Sequence, residues 1–172
     1  MKTIFNNKRK TKIAIVAFLT LLFVWFCTED SYADSRTLTE FGVAGPNHKF
    51  DRGYNLYVTQ RWNNKWNVGL GLLSEMEYYD QTVSNNMVLF GQRLVYGPGI
   101  FKDVGLGIGV AYLGNTSVTN GSHLNYMLSM EYFKIRKGII PDYIVYRHMS
   151  NAGTKRPNPG IDAISIGYAF GK

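Results

Sequence analysis

His148 and Ser150 stand two positions apart near the C-terminus, and Asp162 follows after a loop-like segment rich in glycine, proline and asparagine. A serine hydroxyl becomes a competent nucleophile when an imidazole takes its proton. A carboxylate on the far ring nitrogen fixes the tautomer and stabilises the imidazolium that forms. These three side chains therefore suffice for ester cleavage through an acyl-enzyme. Taken alone, His-x-Ser is a weak signal, because two polar residues at the end of a strand are usually just solvated. Its meaning depends on the elements that carry it.

Beyond residue 33 no stretch has the 3.6-residue apolar period of a helix, whereas several alternate with period two. From Val104 to Tyr112 every even position is apolar or aromatic and every odd one is Gly or Ala. Asp162, Ile164, Ile166, Tyr168 and Phe170 likewise alternate with Ala163, Ser165, Gly167 and Ala169. Large apolar groups on one face and small ones on the other predict an all-β chain, an eight-stranded antiparallel transmembrane β-barrel. The expected strands are 38 to 46, 53 to 63, 66 to 78, 86 to 97, 103 to 113, 123 to 136, 140 to 150 and 162 to 170. Most approach the roughly 9 to 11 residues that a tilted strand needs to cross a bilayer.

Charges within these strands test the prediction. Arg61, Arg93, Arg147, Glu75 and Glu131 are expected on the face opposite the large apolar groups, in an aqueous or ion-paired lumen. A basic group facing hydrocarbon at the midplane would cost about 2 to 4 kcal/mol. Tyr57, Trp62, Trp66, Tyr96, Tyr112, Tyr126, Tyr132, Tyr146 and Tyr168 are candidates for aromatic girdles at the two interfaces, although Tyr57 breaks the parity of its strand and has an inward orientation as its alternative.

Connection lengths give an orientation. Segments 63–65, 97–102 and 137–139 are short, as periplasmic turns are, while 47–52, 79–85, 114–122 and 151–161 are longer and belong outside. His148 and Ser150 then sit near the extracellular rim on the same face as Ile144 and Tyr146. Asp162 shares its face with Ile164 and Ile166, so all three polar groups are expected to point outward toward lipid. Asp162 should lie opposite Ser150 or one pair off, with diagonal neighbours about 7 to 8 Å apart. Polar groups turned toward lipid are costly unless they lie near the interface or serve a function.

The segment Tyr146-Arg147-His148-Met149-Ser150-Asn151-Ala152-Gly153, followed by Pro157-Asn158-Pro159-Gly160-Ile161-Asp162, resembles the signature of the PagL family of lipid A 3-O-deacylases. The resemblance implies a histidine base at His148, a serine nucleophile at Ser150 and an acid at Asp162, with no cofactor and no metal. It further implies that Asn158 and a backbone N–H near Gly153 stabilise the oxyanion, with Asn151 part of the motif. Such donors act by facing the charge that develops on the carbonyl oxygen. Asp162 stands where glutamate is known in the family, one methylene shorter, so its reach to His148 depends on hairpin register. The implied substrate is lipid A of lipopolysaccharide in the outer leaflet of a bacterial outer membrane. Lys155 and Arg156 are candidate contacts for its phosphates, set against a plain solvated loop. For Asn158 and Gly160 the competing account is an ordinary Pro-Asn-Pro-Gly turn. Pairing of the barrel into a homodimer is compatible with this reading but not specified by it.

The N-terminus fits the same destination. Lys2, Lys8, Arg9, Lys10 and Lys12 precede an apolar run from Ile13 to Cys27 and a polar stretch ending at Ala33. That is the layout of a cleaved secretory signal peptide, residues 1–33, since a run of 15 residues falls short of the roughly 20 of a spanning helix. Cys27 leaves with it, and Trp25 and Phe26 before it argue against lipidation. Residues 34–172 then form one cysteine-free domain with 14 basic and 10 acidic side chains, net +4. Disulfides are thereby excluded, and export argues against nucleic acid. His48 and His123 also fall near the rim, but parity points His123 inward and no metal-ligand spacing links them to His148. The glycines at 105, 107 and 109 precede no helix, so they form no dinucleotide fingerprint.

Two other readings use the same strands. A non-enzymatic barrel, an adhesin or membrane scaffold, leaves the polar trio as coincidence. An outer-membrane phospholipase would need a larger barrel of about twelve strands, for which 139 residues leave no room.

Overall fold

The computed structural model describes residues 35–46, 53–135 and 140–171. The expected leader with Cys27, the segment holding His48, and the turn at 137–139 lie outside the described residues. The chain divides after Ala33, and all described residues belong to the second part.

Among the described residues ten strands form: β1 Ser35–Pro46, β2 Gly53–Trp62, β3 Trp66–Leu73, β4 Met76–Tyr78, β5 Gln81–Val83, β6 Asn86–Tyr96, β7 Val104–Leu113, β8 Leu124–Phe133, β9 Tyr143–Ser150 and β10 Ile161–Phe170. Eight of them close into an antiparallel barrel in the order β1-β10-β9-β8-β7-β6-β3-β2. β4 and β5 pair with each other as a separate hairpin. One 3₁₀ turn, Gly99–Phe101, lies in the β6–β7 connection.

Period-two alternation accounts for the wall. Along β8, Asn125, Met127, Ser129, Glu131 and Phe133 are buried inside, while Leu124, Tyr126, Leu128, Met130 and Tyr132 are exposed outside. Phe41, Leu56, Val58, Leu70, Leu89, Leu106, Ile108 and Ile144 extend the outer apolar surface around the barrel. A soluble protein would not display such a continuous surface, whereas lipid accommodates it. Inside, small residues make room for large neighbours: a Cβ on Gly71 would lie 2.0 Å from Cδ1 of the buried Tyr57.

Among the described residues, two ion pairs cross this packed interior. Arg61 donates to Glu131 at 2.8 Å, to the Tyr96 hydroxyl at 2.8 Å and to Asn67 at 2.9 Å. Arg147 donates to both carboxylate oxygens of Glu40, with Nη2 2.7 Å from Oε1, and lies over the Tyr57 and Phe90 rings. An unpaired charge there would bear the full desolvation penalty. Arg61, Arg147 and Glu131 are thus inside as predicted, joined by Glu40.

Several expectations need correction. The strand expected over 66–78 ends at Leu73, where the Ser74 N–H bonds Tyr54 O and the Ser74 hydroxyl accepts from the Tyr54 N–H. Tyr79 and Asp80, both at positive φ, then turn the β4–β5 hairpin. Its Met76 and Val83 join the same apolar cluster as Leu113, Met149 and Ile161. Glu75 is therefore exposed beside the hairpin rather than inside the barrel. Arg93 shares the outer face with Leu89 and Val95, close to the short-turn end, where its guanidinium lies 5.4 Å from the Trp66 ring centroid. A long cationic side chain there keeps its stem on apolar surface and its head at the interface. Tyr96 turns inward to Glu131, while Tyr57 takes the inward orientation that its break in parity had left open. His123 precedes β8 and escapes its parity. It is exposed, stacks on Tyr112 at 5.5 Å and bonds Leu113 O through Nδ1.

Candidate active site

β9 and β10 pair so that Asp162 lies directly opposite His148, one pair from Ser150. Tyr143, Val145, Arg147 and Met149 are buried in the interior, which turns Ile144, Tyr146, His148 and Ser150 to the outer face. Asp162 shares its face with Ile164 and the exposed Ile166. All three polar groups thus occupy the outer surface at the end of the barrel that carries the longer connections.

His148 Nδ1 donates to Asp162 Oδ1 at 2.8 Å. The His148 side chain is 27% exposed and that of Asp162 is 0% exposed, so the carboxylate is sealed beneath while the ring keeps an accessible edge. Direct cross-strand pairing is what lets the short aspartate reach. With Nδ1 committed, Nε2 is the nitrogen that can serve a hydroxyl. Ser150, half-buried, lies next along the same strand face.

The segment after Ser150 is bound tightly to itself. Ala152 and Gly153 have φ of +50° and +77°, and the Thr154 N–H closes the turn on Asn151 O at 3.0 Å. Asn151 is buried, and its amide donates to Lys155 O at 2.7 Å and to Asn120 Oδ1 at 3.3 Å. Both amide hydrogens are thereby used within the loops, so Asn151 acts as a scaffold and has none left for an oxyanion. Asn158 Oδ1 accepts from the Asn151 N–H at 2.9 Å, which fixes the Asn158 side chain beside the start of the turn. Lys155 and Arg156 are exposed.

Three participants escaped the sequence reading. The Tyr146 hydroxyl, expected in an aromatic girdle, donates to Asp162 Oδ1 at 2.6 Å. Gly160, at φ +80°, passes so near the imidazole that a Cβ there would lie 2.7 Å from His148 Cε1. The β7–β8 connection supports the loop from behind, with the Gly121 N–H on Pro157 O and the Gly160 N–H on Thr119 O. Parity signalled Tyr146, since it is the outward residue before His148. The other two depend on tertiary contacts that no local pattern encodes.

A family model described as lipid A 3-O-deacylase (PagL) matches residues 48–171. Among solved structures, the chain is similar to one described as "Crystal structure of the outer membrane enzyme PagL", with a TM-score of 0.53 and 17% identity over 80% of this chain and 99% of that one. At that identity the likeness speaks for the fold. No curated protein matches. The family match spans well over half of the sequence and includes both strands of the polar trio, so the chain belongs to the lipid A 3-O-deacylase (PagL) family of outer-membrane enzymes.

Proposed function

We propose that the chain removes an ester-linked 3-hydroxyacyl group from lipid A with Ser150 as nucleophile, His148 as general base and Asp162 as the acid that orients it. Ser150 Oγ attacks the ester carbonyl carbon while His148 Nε2 takes its proton. The carbonyl oxygen becomes an oxyanion facing the Asn158 amide and the Gly153 N–H. Its collapse breaks the bond to the sugar oxygen, which leaves with the proton from His148, and the acyl group stays on Ser150. Water then attacks the acyl-enzyme, giving its proton to Nε2; the acyl–Oγ bond breaks, Ser150 Oγ recovers the proton from His148, and a 3-hydroxy fatty acid departs.

The outward His148–Asp162 pair, with Ser150 on the same face, carries this reading. A site open to the side of the barrel meets lipid A where it lies, with its acyl chains along the apolar wall. The longer connections, and with them the site, would face the outer leaflet.

The test is incubation of refolded protein with lipopolysaccharide and, separately, with phospholipid, followed by mass spectrometry of the products. Loss of one hydroxyacyl chain from lipid A alone is expected. Ser150→Ala and His148→Ala should each reduce the rate by at least about 10³-fold. Unaltered lipid A with a folded barrel would return the chain to the scaffold reading, and cleaved phospholipid would change the substrate class.

A further inference from the structure

We infer that Tyr146 is a positioning residue for the reaction, holding the Asp162 carboxylate in the orientation from which it supports His148. The inference rests on the catalytic roles proposed above and adds a group that the motif alone does not assign.

Asp162 lies on the outward face of a barrel strand, yet its side chain is 0% exposed. On the β1 side its cross-strand partner is Gly45, which has no side chain to cover it. β9 supplies two hydrogen bonds to it. Two successive outward residues of that strand, Tyr146 and His148, both donate to the same oxygen, Oδ1, at 2.6 and 2.8 Å. Tyr146 lies opposite Ile164, one pair further into the membrane, so its ring reaches diagonally toward the rim to meet the carboxylate.

A carboxylate against hydrocarbon needs hydrogen bonds to remain an anion, and a low-dielectric surround strengthens each one. Aspartate has a freely turning terminal group. Two donors converging on one oxygen from one strand hold that oxygen more closely in place than one does. The phenol thus sets where Oδ1 stands when His148 takes up the serine proton. It touches neither substrate nor the reacting atoms.

Tyr146→Phe removes only the hydroxyl and keeps the ring against the barrel wall. It should lower kcat by about 10- to 100-fold, the effect of losing a hydrogen bond to a charged group, with KM unchanged. Turnover is counted per folded barrel, using the gel-mobility difference between folded and boiled protein, so loss of folding is not read as loss of function. A merely structural role would act equally in any background. In Asp162→Asn, where the carboxylate is gone, adding Tyr146→Phe should change kcat by less than about 2-fold. An unchanged kcat in the single variant, or an equal loss in both backgrounds, would overturn the role of Tyr146. If Asp162→Asn itself retains full activity, the acid assignment falls and the tyrosine's role falls with it.

Discussion

At the scale of single residues, Gly160 shows how closely backbone and imidazole share one space. Its φ of +80° lies where an L side chain is strained, and a Cβ at this position, 2.7 Å from His148 Cε1 and 3.3 Å from Nε2, would push the ring itself. Gly160→Ala should therefore cost about 1–2 kcal/mol of stability from backbone strain, and about 10²-fold in kcat from displacing the base. Gly99→Ala is the control: φ is +58° and nothing lies within 4 Å of its Cβ. It should show similar strain in denaturant unfolding with undiminished turnover per folded molecule; equal turnover loss in both variants would refute the account. A resemblance in residue pattern singled out His148, Ser150 and Asp162 as candidates, and strand parity gave them one face. Gly160 read as a turn glycine because the sequence holds no record of the ring beside it.

At the scale of elements, two connections act as one. The 151–160 loop carries Asn158 and Gly153, and three hydrogen bonds tie it to the β7–β8 connection through Thr119, Asn120 and Gly121. Asn120 is fully buried and also accepts from the Ser122 N–H, so it links its own turn to Asn151. Asn120→Ala leaves the Asn151 amide with one partner fewer, at a cost of about 1–3 kcal/mol for an unsatisfied buried donor. Amide hydrogen exchange across 151–160 should quicken and kcat should fall, while exchange in the barrel strands stays slow. Unchanged exchange in that loop would show the two connections to be independent. Alternation predicted the barrel strands because lipid outside and small residues inside impose opposite demands at every step. It failed over 66–78, where the pattern continues through Met76 and Tyr78 but Ser74 has already taken the backbone bonds that end β3. Pairing register, which decides whether Asp162 faces His148 or Ser150, was left open by a loop whose conformation depends on its neighbour.

At the scale of the whole molecule, the outer site depends on an ion pair inside. β9 carries Tyr146, His148 and Ser150 outward and Arg147 inward, and a slip of one residue would exchange the two sets. Arg147 is held by Glu40 of β1, and β10 runs between those two strands. The pair thus spans the strand that bears Asp162 and favours the register in which Asp162 meets His148. Both charges are almost fully buried, so the pair adds little net stability over apolar residues of similar volume, but removing one partner strands the other. Arg147→Met should lower unfolding stability by about 3–5 kcal/mol, read from denaturant titration of the barrel folded into vesicles. Glu40→Leu combined with Arg147→Met should recover most of that loss. If the double variant is instead as unstable as the sum of the two single ones, the charges act separately and the pair does not hold β9 against β1.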